Sequence, residues 1–184
     1  MINFVEIPEL QDLWHDLPEF EKKLQSMAKE LNLSLTDYQI DHISVRCHHL
    51  ATALRWHNGL IQCANLISDN QINGRPIRLY ELRQAIQVAG QNIFIIELPF
   101  PKGKIYPQES WEHIEMVIDV LPSVLEETAR KLLPDLLPQG FSIKVSQPKG
   151  QQERLSNPTL AVTNGIITLK YHPFSLKNII ESEK

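Results

Sequence analysis

Cysteine is scarce in this sequence: Cys47 and Cys63 are the only two in 184 residues. That is too few for a secreted disulfide scaffold, so both are expected as free thiols in a reducing, cytoplasmic setting. Basic charge is not in excess. Lys and Arg number 18 against 22 Asp and Glu, a net of −4 with a pI near 6.0. Nucleic-acid binders carry a basic stripe and a high pI, because phosphate neutralisation dominates their affinity. No nucleic-acid partner is expected. No apolar run approaches the ~20 residues of a membrane-spanning helix. The opening Met-Ile-Asn-Phe-Val-Glu lacks the basic and apolar regions of a secretory signal. No membrane partner is expected either. The 7 Gly and 12 Pro are too few for a disordered or collagen-like chain.

What remains is a globular composition, with 42% hydrophobic and 22% charged residues. The length fits one domain, or two small ones fused, at ~150 residues per domain. Such a chain buries about 70% of the surface that its unfolded state exposes.

Residues 8–32 read as two helices. Leu10, Leu13, Trp14 and Leu17 repeat at helical spacing behind Pro8, and Pro18 is expected to break the run. Phe20, Leu24, Met27 and Leu31 continue it, with Trp14 and Met27 placed in the core. The period then changes to two. In residues 40–46, His42, Ser44 and Arg46 alternate with Ile43 and Val45. Residues 50–64 read as a helix with Leu50, Leu54, His57 and Ile61 on one side. Strands are expected near 66–70, 75–82 and 91–98, with an Asn73-Gly74 turn between the first two. The order then recurs. Residues 111–118 alternate, with Trp111, His113, Glu115 and Val117 on one face. Pro122 opens a helix carrying Leu121, Leu125, Thr128 and Leu132. Strands follow at 140–146, 159–163 and 166–172, and Ser175 caps a last short helix.

The recurrence has a residue-level echo. Asp41-His42-Ile43 returns as Glu112-His113-Ile114, 71 residues later. Ile96-Glu97-Leu98-Pro99-Phe100 returns more loosely around Leu169–Phe174. A shared offset and a shared element order imply a duplicated unit. The expected fold is α+β: two β-α-β-β-β modules, about 38–100 and 108–174, forming a curled, cup-shaped mixed sheet in one unit spanning 37–184. A helical extension, 1–36, precedes it.

Paired modules with a histidine early in each first strand resemble the vicinal oxygen chelate superfamily. That superfamily includes glyoxalase I, extradiol dioxygenases and bleomycin-resistance proteins. Nearly the whole chain also resembles the YecM family, in DHISVRCH, NQINGRPI, IIELPFP, WEHIE, QPKG, ERLSNPTLAV and KYHPFS. The superfamily resemblance implies metal ligands on the first and last strands of both modules. His42 and His113 match the two first-strand ligands, and Glu97 matches the last-strand glutamate of the first module. The fourth position falls in 168–172. Lys170 stands there in place of the usual glutamate, with His172 two residues on.

The chemistry of these residue types is consistent with that. Two imidazoles and a carboxylate suit a divalent ion such as Fe, Mn, Ni, Co or Zn, with positions open for substrate. Glu115 shares the His113 face and reads as the catalytic candidate, a general base, or else as a ligand or a partner steadying a histidine. Arg46 offers a fork for a substrate carboxylate, and Lys170 a second positive charge for substrate. Plainer readings stand beside these. Glu97 can pair with Arg78, and Glu115 with Lys170. His48 and His49 beside Cys47 suit helix capping or solvent better than metal. His57 suits packing and His15 solvent. Pro148 through Arg154 suits a plain connection, or a lid carrying Lys149 and Arg154 over the cup. The function expected is a metal-dependent enzyme acting on a small oxygenated or anionic metabolite, whether isomerase, lyase or dioxygenase. The alternative is a metal-free small-molecule binder resembling bleomycin-resistance proteins.

Overall fold

The N-terminal apolar stripe folds as one long helix rather than two. In the computed structural model, which describes residues 2–147 and 155–183, α1 runs Gln11–Glu30 behind two short 3-10 turns. Leu13, Leu17, Phe20, Leu24 and Met27 form its buried face. Pro18 lies inside the helix without breaking it. It is on the exposed side, where water can serve the carbonyl whose partner it removes. Trp14 was expected in the core, yet it is 37% exposed. It stands one residue, about 100° of helix, beyond the buried Leu13.

The remaining elements are β1 Ile40–Arg46, α2 Leu50–Cys63, β2 Ala64–Ile72, β3 Arg75–Val88, β4 Gln91–Pro99, β5 Ser110–Val117, α3 Leu125–Arg130, β6 Ser142–Ser146, β7 Thr159–Thr163, β8 Thr168–His172 and α4 Leu176–Glu183. Asn73 and Gly74, at φ 52° and 78°, make the tight turn that joins β2 to β3. The expected face of α2 is rotated by one residue. Leu50, Leu54 and Ile61 are exposed, while Ala53, Trp56, Leu60 and Cys63 are buried. Trp56 fixes this choice, since its indole N–H donates to Asp12 of α1. Gly59 permits it, because a Cβ there would lie 2.6 Å from Leu10 Cγ.

The eight strands among the described residues form one mixed sheet, in the order β2-β3-β4-β1-β5-β8-β7-β6, which does not close into a barrel. β1 pairs parallel with β4, β5 pairs parallel with β8, and β1 and β5 meet antiparallel at the centre. α1 packs on β5, and its buried face joins the sheet's apolar face in a single core. Among the described residues, no helix is long and apolar enough to cross a membrane.

The other face of the sheet is polar. A cavity of about 290 Å³ opens there, lined by Ile72, Ile77, Glu97, His42, Glu115, Lys170, Ala161 and Lys144 among others. Those residues come one from each of the eight strands, edges included, so the sheet curves round this space. Leu176 and Ile179 of α4 also line it. The segment from Pro148 to Arg154, with Lys149, lies outside the described residues.

Candidate functional site

The site begins with two irregularities in the central pairing. Ile40 faces Met116 and His42 faces Glu115, so Asp41 is an extra residue on β1. Ser44 faces His113 and Val45 faces Trp111, so Glu112 is an extra residue on β5. Both are β-bulges, which turn a residue out of strict alternation. Asp41 and Glu112 thereby share a side with the histidines that follow them. Asp41 Oδ2 lies 3.0 Å from His42 Nδ1, and Glu112 Oε2 lies 2.6 Å from His113 Nδ1. The pairing is symmetric about Ile43 and Ile114, which face each other.

The second bulge also corrects an expectation. Strict alternation places Trp111 beside His113. Instead Trp111 turns to the helix layer, where its indole N–H donates to Leu13 O at 2.7 Å. Alternation likewise gives no reason to place Asp41 and Glu112 in the site. The signal was present as the acidic residue that precedes both histidines.

These hydrogen bonds assign the imidazole proton to Nδ1 and leave Nε2 as the available atom. Both Nε2 atoms turn towards one oxygen. Glu115 Oε1 is 3.6 Å from His42 and 3.2 Å from His113. The ring centroids are 6.3 Å apart, and both histidines are fully buried. One ligand atom from each of His42, His113 and Glu115 lies within 4.8 Å of the others. Glu97, the carboxylate expected in that role, stands beside the group. Its Oε1 accepts from Ser44 Oγ at 2.6 Å and lies 3.6 Å from His113 Nε2.

Lys170 and His172 both face this cluster. Lys170 Nζ is 2.8 Å from Glu115 Oε1 and 2.9 Å from His113 Nε2. The His172 ring is 5.8 Å from that of His42, with Nε2 3.8 Å from Asp41 and Nδ1 3.7 Å from Glu115. Among the described residues, neither nitrogen of His172 has a hydrogen-bond partner, and nor does His42 Nε2. Arg46 Nη1 donates to Ser44 Oγ and to Val45 O, both at 3.0 Å. Its neighbouring carboxylates are Glu97 at 3.7 Å and Glu112 at 3.6 Å. Thr168 Oγ1 donates to Glu112, and the Leu176 backbone N–H donates to Asp41.

The charges do not balance. Asp41, Glu97, Glu112 and Glu115 bring four negative charges, and Arg46 and Lys170 two positive ones. With every imidazole neutral, as metal ligation requires, the cluster stands at −2, and with His42 protonated it stands at −1. Burial opposes charge on His42, but Glu115 and the hydrogen bond that His42 donates to Asp41 outweigh it and push the imidazole up to about 10. Burial also opposes ionisation of Glu97, yet His113, Lys170, His42 and Arg46 hold it down at about 2. Glu115 and Glu112 are held well below the usual carboxylate range despite their burial, Glu115 first by Lys170 and Glu112 first by His113. Burial lowers His172.

The other candidates have structural partners. Glu109 accepts the backbone N–H groups of His48 and His49 and the Thr52 hydroxyl, so it caps α2. The three can still bring ligand atoms within 4.8 Å of one another, but the Glu109 oxygens are already engaged. His57 Nδ1 lies 2.6 Å from the Tyr80 hydroxyl. Arg78 pairs with Asp69 at 2.9 Å rather than with Glu97. Cys47 and Cys63 are buried free thiols, which burial pushes up to about 11.

Comparison with known proteins gives a consistent result. The family model described as YecM protein matches residues 9–183. Protein YecM of Escherichia coli (strain K12) is 50% identical and covers 100% of this chain and 99% of its own length. An uncharacterized protein of Haemophilus influenzae is 42% identical, covering 92% of each chain. A solved structure described as "Structural Genomics, Protein EC4020" superimposes with a TM-score of 0.94 at 47% identity. It covers 100% of this chain and 98% of its own.

Proposed function

The chain belongs to the YecM family, and from that premise we propose that it is a metal-dependent enzyme of the vicinal oxygen chelate type. It holds a divalent ion at His42, His113 and Glu115 and acts on a small oxygenated metabolite in the cup. The single observation that carries this reading is the convergence of two carboxylate-held imidazoles on Glu115 Oε1. A carboxylate on Nδ1 with Nε2 left over is the arrangement that orients a metal-binding histidine. Among the described residues the buried Nε2 of His42 has no hydrogen-bond partner, and a metal ion there would give its lone pair one. The charge of −2 is what a divalent ion with neutral imidazoles would cancel. Two nitrogens and one oxygen suit Fe, Mn, Ni, Co or Zn. Once bound, such an ion would polarise the oxygens of a substrate as a Lewis acid.

In this reading Glu115 serves as a ligand rather than as a general base. Arg46 faces the cavity with Nη2 beyond hydrogen-bond distance of Glu112, so its fork keeps capacity for a substrate oxygen. Arg75 and Lys144 line the same cavity and favour an anionic molecule. The symmetric strand order and pairing support two β-α-β-β-β modules that arose by duplication.

The test is calorimetric titration with Mn, Ni, Zn and Fe(II). Wild type binds one ion per chain, and His42→Ala loses at least a hundredfold in affinity. Asp41→Asn and Glu112→Gln each lose about 10–100-fold, the usual cost of removing a histidine's carboxylate partner. Affinity falls as the pH drops and protons compete for the imidazoles. Equal binding by wild type and His42→Ala overturns the site and leaves a metal-free small-molecule binder.

A further inference from the structure

Lys170 is on β8 directly opposite Glu115 on β5. Its ammonium reaches past the sheet's pleat to two atoms at once, Glu115 Oε1 at 2.8 Å and His113 Nε2 at 2.9 Å. Those are two of the three atoms that converge in the cluster. His113 Nε2 has one lone pair, because Glu112 holds the proton on Nδ1. That lone pair can serve an ammonium or a metal ion, but not both. The third atom, His42 Nε2, has no partner among the described residues. Lysine is suited to the task. It carries a compact charge on a flexible four-carbon stem, and this side chain keeps 20% exposure, so it has room to leave.

We infer that Lys170 is a tethered internal cation that occupies the ligand atoms of His113 and Glu115 and must be displaced for a divalent ion to bind. This rests on the metal reading above and adds a regulatory step to it. Without metal, the ammonium offsets part of the surplus negative charge and keeps the cluster paired. With metal, the ion takes over that compensation, and Lys170 moves away on its stem. The freed ammonium remains at the cavity, beside Arg46, as a second anchor for an anionic substrate. Affinity for metal is thereby held down, and an anion that engages Lys170 raises it, since each ligand removes a competitor of the other.

Calorimetric titration of Mn²⁺ and Zn²⁺ into the full chain tests this with wild type, Lys170→Met and Lys170→Gln. Methionine keeps the apolar stem, and glutamine keeps polarity if the methionine variant folds poorly. Both variants are expected to bind metal at least tenfold more tightly than wild type. Without metal, each melts several degrees lower than wild type, and saturating metal closes that gap. Equal or weaker binding by folded variants overturns it while the metal reading stands. Binding by no protein overturns both. A measurement on wild type alone is independent of variant folding. Labelling of Lys170 by an amine-specific reagent, followed by mass spectrometry, rises severalfold on metal addition. Unchanged labelling under saturating metal overturns the inference.

Discussion

The two halves of the sheet share one plan and differ at the position that sets the charge. In the first half, Ser44 on β1 faces Glu97 on β4 and donates to it at 2.6 Å. In the second half, the corresponding residues are Glu115 on β5 and Lys170 on β8, paired at 2.8 Å. The offset of 71 that relates His42 to His113 also relates Ser44 to Glu115. Each half therefore contributes one acid–imidazole pair from a bulge, and these two pairs are alike. Beyond them the first half adds Arg46 and the second adds Lys170 and His172. The shared parts aim two Nε2 atoms at one point. The unshared parts set the positive charge around that point, with Lys170 on it and Arg46 beside Glu97 and Glu112. Two halves with the same pairing thus place alike acid–imidazole pairs, while the charge of the polar face is set where the halves differ.

The sharpest way to break this comparison is to truncate the same position in both halves. Glu115→Ala removes the carboxylate from Lys170 and from two buried imidazoles. Breaking one partner of a buried pair costs about 3–5 kcal/mol, and the partial exposure of Lys170 sets this case near the lower figure. Ser44→Ala removes a hydroxyl that donates to Glu97 and accepts from Arg46, but leaves that carboxylate and that guanidinium near each other, at a cost of about 1–2 kcal/mol. Urea unfolding of the metal-free proteins measures both. Equal losses would show that the divergence between the halves has no energetic consequence.

The two histidines also differ. Lys170 stands on Nε2 of His113, whereas Nε2 of His42 has no hydrogen-bond partner among the described residues. His42 therefore provides the clearer pH signature, with its imidazole raised from an ordinary 6.5 to about 10. A group raised on folding contributes stability that is fully present below its unfolded pKa and is lost as the pH climbs through the folded one. Metal-free wild type is expected to lose about 2 kcal/mol or more between pH 6.5 and 10. Glu97 has the opposite sign. It is lowered from 4.5 to about 2, so its contribution is present above 4.5 and lost as the pH falls through 2. Unfolding at pH 6, 8 and 10 compares wild type with His42→Asn. The alkaline loss disappears in the variant, and an unchanged slope would assign it elsewhere.

Much of the strand layout was legible, because alternation and turn residues are local properties. β1, β7 and the Asn73-Gly74 turn are where the sequence places them. The face of α2 was not legible. Leu50, Leu54 and Ile61 make as good a stripe as the one that is buried, and the choice was made by Trp56 reaching Asp12 on another helix. Pro18 misled for a similar reason, since a proline on the wet side of a helix costs less than one at its core. That His42, His113, Glu115 and Arg46 share the polar face was legible from alternation. Asp41 and Glu112 were not, because a bulge arises from pairing between strands and leaves no period in either one.

The smallest expected effect tests the symmetry at its centre. Ile43 and Ile114 face each other across β1 and β5, and both are fully buried in the apolar core beneath the histidines. If the halves are equivalent there, the two side chains occupy like environments, and Ile43→Val and Ile114→Val each remove one methyl group from the same kind of space. Each should cost about 0.5–1.5 kcal/mol, and the two values should agree within about 0.5 kcal/mol. The double variant should not show the simple sum, because directly opposed side chains share the cavity that each truncation leaves. Urea unfolding of the four proteins gives the full cycle. Unequal single losses would place the divergence between the halves in the core as well as in the cup. Equal losses with a coupling term would confine it to the polar face, where Ser44 and Glu97 in one half stand against Glu115 and Lys170 in the other.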